Sequence, residues 1–183
     1  MRRSTLSALM MTLLLLAGCG RRQARLESDF AQFRESLRAA EHIASELTLH
    51  CNDGDTVADY TLLVEQEAER CRVTVEQPAL IAGVTATVGA SGTELGCEGV
   101  SLGIGTIAGL TPVTAPPAML KAMRYGYEEL LWREDDYLAA RLWLDDGAVM
   151  TLWLDPDGTP VCAEISEDGS TVMSAAFSAW ELY

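Results

Sequence analysis

Histidine is scarce in this 183-residue sequence, which contains only His42 and His50. The segment Gly99–Gly103 has the G-x-S-x-G spacing of serine hydrolases, but that enzyme class needs a histidine after the serine, and none follows Ser101. Neither histidine lies at a spacing from cysteine that is typical of a zinc site. We therefore expect no enzymatic activity, no metal site and no cofactor.

Positive charge is also sparse, with 13 basic residues against 27 acidic ones. Five of the 13 precede Leu26 and no acidic residue does, so the chain from Leu26 onward has eight basic residues, 27 acidic residues and a net charge of −19. Such a domain repels phosphate backbones, which excludes nucleic-acid binding. An anionic lipid surface would repel it too, whereas Arg21, Arg22 and Arg25 would be drawn to that surface.

No hydrophobic run reaches the ~20 residues that span a bilayer, because the longest, Leu6–Leu16, is too short. It follows Arg2 and Arg3 and leads into Leu16-Ala17-Gly18 and then Cys19, the lipobox pattern of bacterial lipoproteins. We predict a signal peptide over residues 1–18, a lipidated Cys19 with a basic tether over 19–27, and one extracytoplasmic domain over 28–183. The alternative is an ordinary secretory signal followed by an incidental cysteine.

Four further cysteines remain, namely Cys51, Cys71, Cys97 and Cys162. An even number outside the cytoplasm is compatible with two disulfides in any of three connectivities. However, the predicted strands place Cys51 and Cys71, and likewise Cys71 and Cys97, two strands apart. That separation is roughly 9–10 Å, beyond the ~7 Å limit for a disulfide, so we expect free, buried thiols.

The first part of the domain changes its period near Ile43. Ser28–Ala44 is predicted to be an amphipathic helix, with Phe30, Phe33 and Leu37 on its apolar face. From Ile43 to Ile104, apolar residues alternate with polar ones in short runs separated by turn residues, which predicts an antiparallel meander.

An apolar segment without a clear period, Thr106–Pro117, follows the meander. A second helix is predicted to begin at Pro116-Pro117 and to end near Gly126, with Met119 and Met123 on one side. The loop and helix together form either a lid or a plain crossover packed on the core.

The last third of the sequence predicts four further long strands joined by Asp-Gly turns. The turns predict a register in which Leu142 faces Met150, Leu152 faces Val161, Met150 faces Ala163, and Ala163 faces Met173. One face of these strands is then aliphatic. The other is aromatic and polar and carries Trp143, Trp153 and Trp180.

The order of lipobox, helix, long meander, apolar loop with helix, and final meander resembles the LolA/LolB lipoprotein-carrier superfamily and its LppX/LprG-type relatives. The resemblance implies an α+β, mainly β fold, in which a long antiparallel meander forms a half-open β-barrel covered by an N-terminal helix and a mid-chain helix. It also implies that the aliphatic face holds acyl chains. The residues expected on that face or on its cover are Leu62, Val73, Met119, Met123, Leu142, Met150, Leu152, Val161, Ile165, Met173 and Phe177.

Two functions from different classes follow. The first is a membrane-anchored monomer that binds a lipid or a lipidated protein, by reversible burial of acyl chains. Because it keeps its own anchor, a receptor role at the membrane suits it better than that of a freely diffusing shuttle. The second is a non-catalytic interaction or envelope-sensing module with a solid core, which docks a membrane partner through Trp143 and Trp153.

Overall fold

The computed structural model describes residues 22–52, 57–145 and 147–183. The predicted signal peptide and Cys19 lie outside these residues, as does most of the predicted turn after Asn52. Helix α1 occupies residues 22–39 and helix α2 occupies Ala115–Tyr125. The strands are β1 (His42–Asn52), β2 (Val57–Glu67), β3 (Arg70–Gln77), β4 (Thr85–Gly89), β5 (Gly92–Cys97), β6 (Val100–Gly105), β7 (Glu128–Glu134), β8 (Tyr137–Trp143), β9 (Val149–Leu154), β10 (Pro160–Glu167) and β11 (Ser170–Leu182).

The strands form a single antiparallel sheet in the order β6-β5-β4-β3-β2-β1-β11-β10-β9-β8-β7. Strands β1–β6 and strands β7–β11 each form a meander of sequential neighbours, and the pairing of β1 with β11 joins the two meanders into one sheet. The edge strands β6 and β7 do not pair with each other, so the sheet stays open. The predicted mainly β, half-open architecture with two covering helices is confirmed.

Both helices lie on the concave face of the sheet. The apolar stripe of α1 buries Phe30, Phe33 and Leu37 in the same core as the inward-facing strand residues. Leu26 lies one turn earlier on this stripe and is also buried, so the helix includes residues 22–27, which were predicted to be part of the tether.

The C-terminal bound of α1 also differs from the prediction, because the helix ends at residue 39 and β1 begins at His42. Ile43 is paired with Leu182 on one side and Gln66 on the other. Pairing on both sides supplies hydrogen-bond partners for the backbone groups of this segment. The segment therefore forms a strand although its residues continue the helical pattern.

Irregularities in the strand pairing change the predicted register in the last third. Leu142 does face Met150, but Leu152 faces Ala163, Met150 faces Ile165, and Ile165 faces Met173. One irregularity lies between Pro160 and Cys162 and leaves Val161 without a place in the ladder. Another lies between Ile165 and Ser166, where Val172 of β11 is the extra residue.

A further bulge lies in β11, where Leu47 pairs with Phe177 and Glu46 pairs with Ala179, so Ser178 is the extra residue. Its hydroxyl donates a hydrogen bond to the carbonyl of Glu46 at 3.2 Å. The extra residue reverses the alternation, so Trp180 packs against the core on the concave side. The prediction that Trp180 lies on the opposite face is therefore wrong.

The helices leave most of the far end of the sheet uncovered, and exposure is greatest in the edge strand β6. We refer to strands β4–β6 as the arm. Its inward-facing residues continue the apolar face, because Leu95 pairs with Ala86 and Leu102, and Cys97 pairs with Val100. Yet Val100 is 73% exposed and Leu102 is 64% exposed, so one end of the concave face is open to solvent.

Candidate ligand-binding face

The covered part of the concave face contains most of the residues predicted to line a cavity. These residues are closely packed within one apolar core. They are Leu62, Val73, Leu142, Met150, Leu152, Ile165 and Met173. Phe177 is partly buried at its margin, in edge-to-face contact with Trp180 at 5.7 Å between ring centroids. Val161 is half-buried because the bulge removes it from the regular alternation.

Helix α2 covers the middle of this face. Met119 and Met123 are buried on its inner side, above Leu47 of β1, Val64 of β2 and Phe177 of β11. The space enclosed between helix and sheet here is only about 10 Å³. In this conformation the concave face beneath α2 is filled by its own side chains, and methionine is the side chain most able to repack around a different shape.

The C-terminal end of α2 is held by arginines from α1. Arg34 donates hydrogen bonds to the carbonyls of Met123 at 3.2 Å and Gly126 at 2.5 Å, and Arg38 donates two to the carbonyl of Arg124 at 3.0 and 2.7 Å. Cations at a helix C-terminus satisfy its free carbonyls and oppose its dipole. Burial lowers the pKa of the Arg34 guanidinium, while the nearby Glu128 carboxylate acts in the opposite direction.

The N-terminal end of α2 has local contacts instead. The Thr114 hydroxyl donates a hydrogen bond to the carbonyl of Gly109 at 2.9 Å, and the backbone N–H of Thr111 donates to that hydroxyl at 2.8 Å. These bonds hold the turn together within the segment itself. The two ends of α2 are therefore attached differently, one to α1 and one to its own loop.

Two clefts flank the loop before α2 and share Leu110. One, of about 410 Å³, is lined by Ile107, Leu110 and Ala118 of the loop and α2 and extends to the end of β8 at Trp143, with the Lys121–Asp145 ion pair in its lining. The second, of about 380 Å³, lies between Leu110 and Pro112 and the open end of β1, β2 and β11, where Tyr60 and Met173 contribute. Leu110 thus separates two openings on either side of the cover.

A third and larger cleft, of about 570 Å³, lies between α1 and the β9–β10 turn, but it has a different chemistry. Asp29 lies 3.9 Å from Arg25 and 3.7 Å from Arg133, so charges of both signs oppose one another there. These groups are partly exposed, and such pairs are weak. Charged walls of this kind do not suit an apolar ligand.

The convex face carries an aromatic cluster that the sequence analysis identified only in part. Trp132 and Trp153 lie on either side of Ala139 and both donate their indole N–H to Oε2 of Glu134, at 3.2 and 3.0 Å. Ala139 is completely buried beneath them. Trp143 lies on the same face and is 41% exposed. The pairing across the Asp135-Asp136 turn places Trp132 beside Ala139, so continuing the predicted register into β7 would have found it.

Outside these surfaces the chemistry-bearing residues are dispersed. Ser101 lies in β6, an exposed edge strand, and not in a strand-to-helix turn. Within residues 22–52, 57–145 and 147–183, no three His, Cys, Asp or Glu side chains are placed to hold a metal ion. Among the helices of the same residues, none is both long enough and apolar enough to cross a bilayer.

The thiols differ in burial. Cys71 is free and buried, and burial raises its pKa from an ordinary 9.0 to about 12. Cys97 is free but exposed, because it lies at the end of β5 in the uncovered arm. Cys51 and Cys162 are half-buried. The expectation of uniformly buried cysteines is therefore wrong.

No family model matches the chain, and no curated protein matches it. Solved structures do. A LolA superfamily protein from Nitrosomonas europaea superposes with a TM-score of 0.51 at 14% identity, over 86% of this chain and 93% of that one. The chain has the LolA-like fold.

Two further solved structures are similar to the chain. One is a chain from the complex of the CwlD amidase with the GerS lipoprotein of Clostridioides difficile, with a TM-score of 0.52, 11% identity and coverage of 86% of this chain and 95% of that one. The other is the lipoprotein LppX of Mycobacterium tuberculosis, with a TM-score of 0.46, 13% identity and coverage of 86% and 95%. Likeness at this identity establishes the fold alone.

Proposed function

We propose that this protein is an extracytoplasmic lipoprotein, anchored through Cys19, that binds the acyl chains of a lipid or of a lipidated protein against its concave face. The observation that supports this proposal is the continuous apolar face beneath α2, whose cover contains two buried methionines and is bordered by two clefts. The LolA-like fold agrees with it. Burying an acyl chain provides about 0.8 kcal/mol per methylene.

The close packing beneath α2 limits how a ligand could enter. Since only about 10 Å³ is enclosed beneath α2, a chain can be accommodated only if the helix moves away from the sheet. Arg34 and Arg38 hold the C-terminal end of the helix, so movement is easiest at the N-terminal end, where Leu110 separates the two clefts. We infer a closed state here and an open state in which that end has swung outward.

The anchor is consistent with a role at the membrane surface. Residues 22–39 are helical, so only a short segment separates Cys19 from the folded domain. Arg22 and Arg25 are exposed on the first turns of α1, where an anionic surface would attract them. A domain held this close to the bilayer is suited to receive or present a lipid locally.

The proposal is tested with a photoactivatable diacyl phospholipid that carries a diazirine at the end of one chain. The protein is an unlipidated form comprising residues 19–183 with Cys19→Ser, which retains every described element. After irradiation, peptide mass spectrometry locates the cross-links. We expect adducts on α2 around Met119 and Met123 and on Met150 or Met173. The absence of adducts, or adducts confined to the convex face, would contradict lipid binding.

A second candidate function is supported by the convex aromatic cluster. Trp132 and Trp153, bound to Glu134, and the exposed Trp143 form a rigid surface of the composition that is common at protein interfaces. One structure of similar fold comes from a lipoprotein–amidase complex. If docking is the function, the wild-type protein should migrate in a larger complex in detergent extracts of its host, whereas the Trp143→Glu variant should migrate alone. A wild-type protein that already migrates alone would exclude docking.

A further inference from the structure

Ser45 is an exception within the covered concave face. It lies on β1 between Val64 of β2 and Trp180 of β11, and it is only 6% exposed. The other inward-facing residues of this strand include Ile43, Leu47 and Leu49, which are all aliphatic and buried. Among the described residues, Ser45 and Thr93 are the two buried polar side chains, and Thr93 lies on the distant strand β5.

The Ser45 hydroxyl has no hydrogen-bond partner within the part of the chain that the structure describes. It borders the gap of about 10 Å³ beneath α2, together with the side chains of Leu47, Val64, Pro116, Met119, Leu120, Met123, Phe177 and Trp180. A water molecule needs roughly 10–15 Å³ and two to four polar partners. This gap is at the lower limit of size and offers one hydroxyl, so water is a poor partner for Ser45.

A buried hydroxyl without a partner costs free energy that an alanine would not. The cost disappears if a ligand supplies an acceptor when α2 opens. The side chains around the gap carry no charge, so a carboxylate or phosphate would be buried there without a counter-ion, which is unfavourable. A neutral acceptor, such as the carbonyl oxygen of an acyl ester or amide, fits this environment.

We propose that Ser45 is the polar anchor of the ligand site and donates a hydrogen bond to the acyl carbonyl of the bound lipid. The hydrocarbon beyond that carbonyl then lies along the apolar face formed by residues such as Leu62 and Leu152. This inference rests on the proposed function and adds to it the chemical class of the ligand, an acyl ester or amide rather than a free hydrocarbon chain.

The test compares two lipids that differ only at the carbonyl, a diacyl glycerol with ester linkages and the matching dialkyl glycerol with ether linkages. Both are offered in equal amounts to the unlipidated residues 19–183, and native mass spectrometry gives the ratio of the two complexes. The comparison is made for the wild type, for Ser45→Ala and for Thr93→Val, the control at the other buried hydroxyl. Comparing variants cancels the difference in hydration between the lipids.

We expect Ser45→Ala to lower the ester-to-ether ratio by about threefold to tenfold, as for one neutral hydrogen bond, and Thr93→Val to leave it unchanged. We also expect Ser45→Ala to raise the melting temperature of the ligand-free protein, because it removes an unpartnered group. An unchanged ratio, or a lower melting temperature, would overturn the anchor role while the lipid-binding function stands. If the wild type binds neither lipid, both proposals are wrong.

Discussion

The arm and the covered part of the sheet have the same alternation of apolar and polar residues but different surroundings. In the covered part, inward-facing residues such as Leu142 and Leu152 are completely buried beneath the helices. In the arm, Val100 and Leu102 face the same way and are mostly exposed. Alternation therefore determines that a strand forms, whereas docking of the helices determines which part of its apolar face leaves water.

The two edge strands of the sheet differ in how well charged residues protect them from pairing with another chain. Edge strand β7 carries Glu128, Glu129, Arg133 and Glu134, charges that discourage pairing with another chain. Edge strand β6, Val100–Gly105, has no charged residue. The uncovered arm therefore also has the less protected edge, which makes it the part of the domain most accessible to other molecules.

The largest expected difference between the two regions is in thiol reactivity. At pH 8, an aromatic disulfide reagent should modify Cys97 in the arm at least about a thousandfold faster than Cys71 in β3. Cys71 is buried, and a rise in its pKa from 9.0 to about 12 suppresses the reactive thiolate by that factor. Peptide mass mapping during the reaction gives both rates. Similar rates would show that β3 is as open as the arm.

The same shift predicts a dependence of stability on pH. The folded state keeps the proton of Cys71 up to a pKa of about 12, while the unfolded thiol ionises near 9.0. The unfolded state therefore binds fewer protons between these values, and stability contributed at lower pH is lost as the pH rises through this range. Chemical denaturation of wild type and Cys71→Ala at pH 8 and 10.5 checks the sign, since the variant should lose less stability.

The next largest effect is expected from truncating a covered leucine. Leu152→Ala should lower the free energy of unfolding by about 2–5 kcal/mol, because it removes buried methyl groups and leaves a cavity in the core. Urea denaturation followed by circular dichroism measures the change. A loss below about 1 kcal/mol would mean that the region beneath α2 is loosely packed.

Releasing the C-terminal end of α2 should have an intermediate effect. Arg34→Met leaves the carbonyls of Met123 and Gly126 without their donor, and we expect a loss of about 1–2 kcal/mol. Amide hydrogen exchange in α2 should accelerate as well. Arg141→Met on the exposed convex face is the matched control and should change stability by no more than about 0.5 kcal/mol. Equal rates of amide exchange in α2 of the two variants would show that α1 does not hold α2 in place.

The smallest effect is expected in the arm. Leu102→Ala removes the same atoms as Leu152→Ala, yet it should change the free energy of unfolding by no more than about 0.5 kcal/mol, since the side chain is already 64% exposed. A loss comparable to that of Leu152→Ala would show that the arm is covered in solution, by another segment or another molecule. The ratio of the free-energy losses caused by Leu152→Ala and Leu102→Ala measures most directly how much better the covered part of the sheet is buried than the arm.

Particular residues show where prediction from sequence succeeded. Asp-Gly turns and period-two runs located the last four strands, and Leu142 was correctly placed opposite Met150. The prediction that a mid-chain helix covers the aliphatic face is confirmed, and Met119 and Met123 are buried on the inner side of that helix. Trp143 and Trp153 were placed together on the other face, although their partners Trp132 and Glu134 were not recognised. The unpartnered Ser45 had no signal in the pattern, since nothing in a sequence distinguishes a bonded serine from an unbonded one.

The sequence by itself determined the type and the order of the strands and helices, because periodicity, proline, glycine and turn residues act locally. Only the tertiary structure decided the pairing of β1 with β11, the bulges at Val161 and Ser178, and the part of the concave face that the helices cover. Those features depend on partners far away in the chain. One extra residue in a strand moves every later side chain to the opposite face of the sheet. The place where a helix docks decides which apolar residues are buried. Neither the bulge nor the docking position can be obtained from a local sequence pattern.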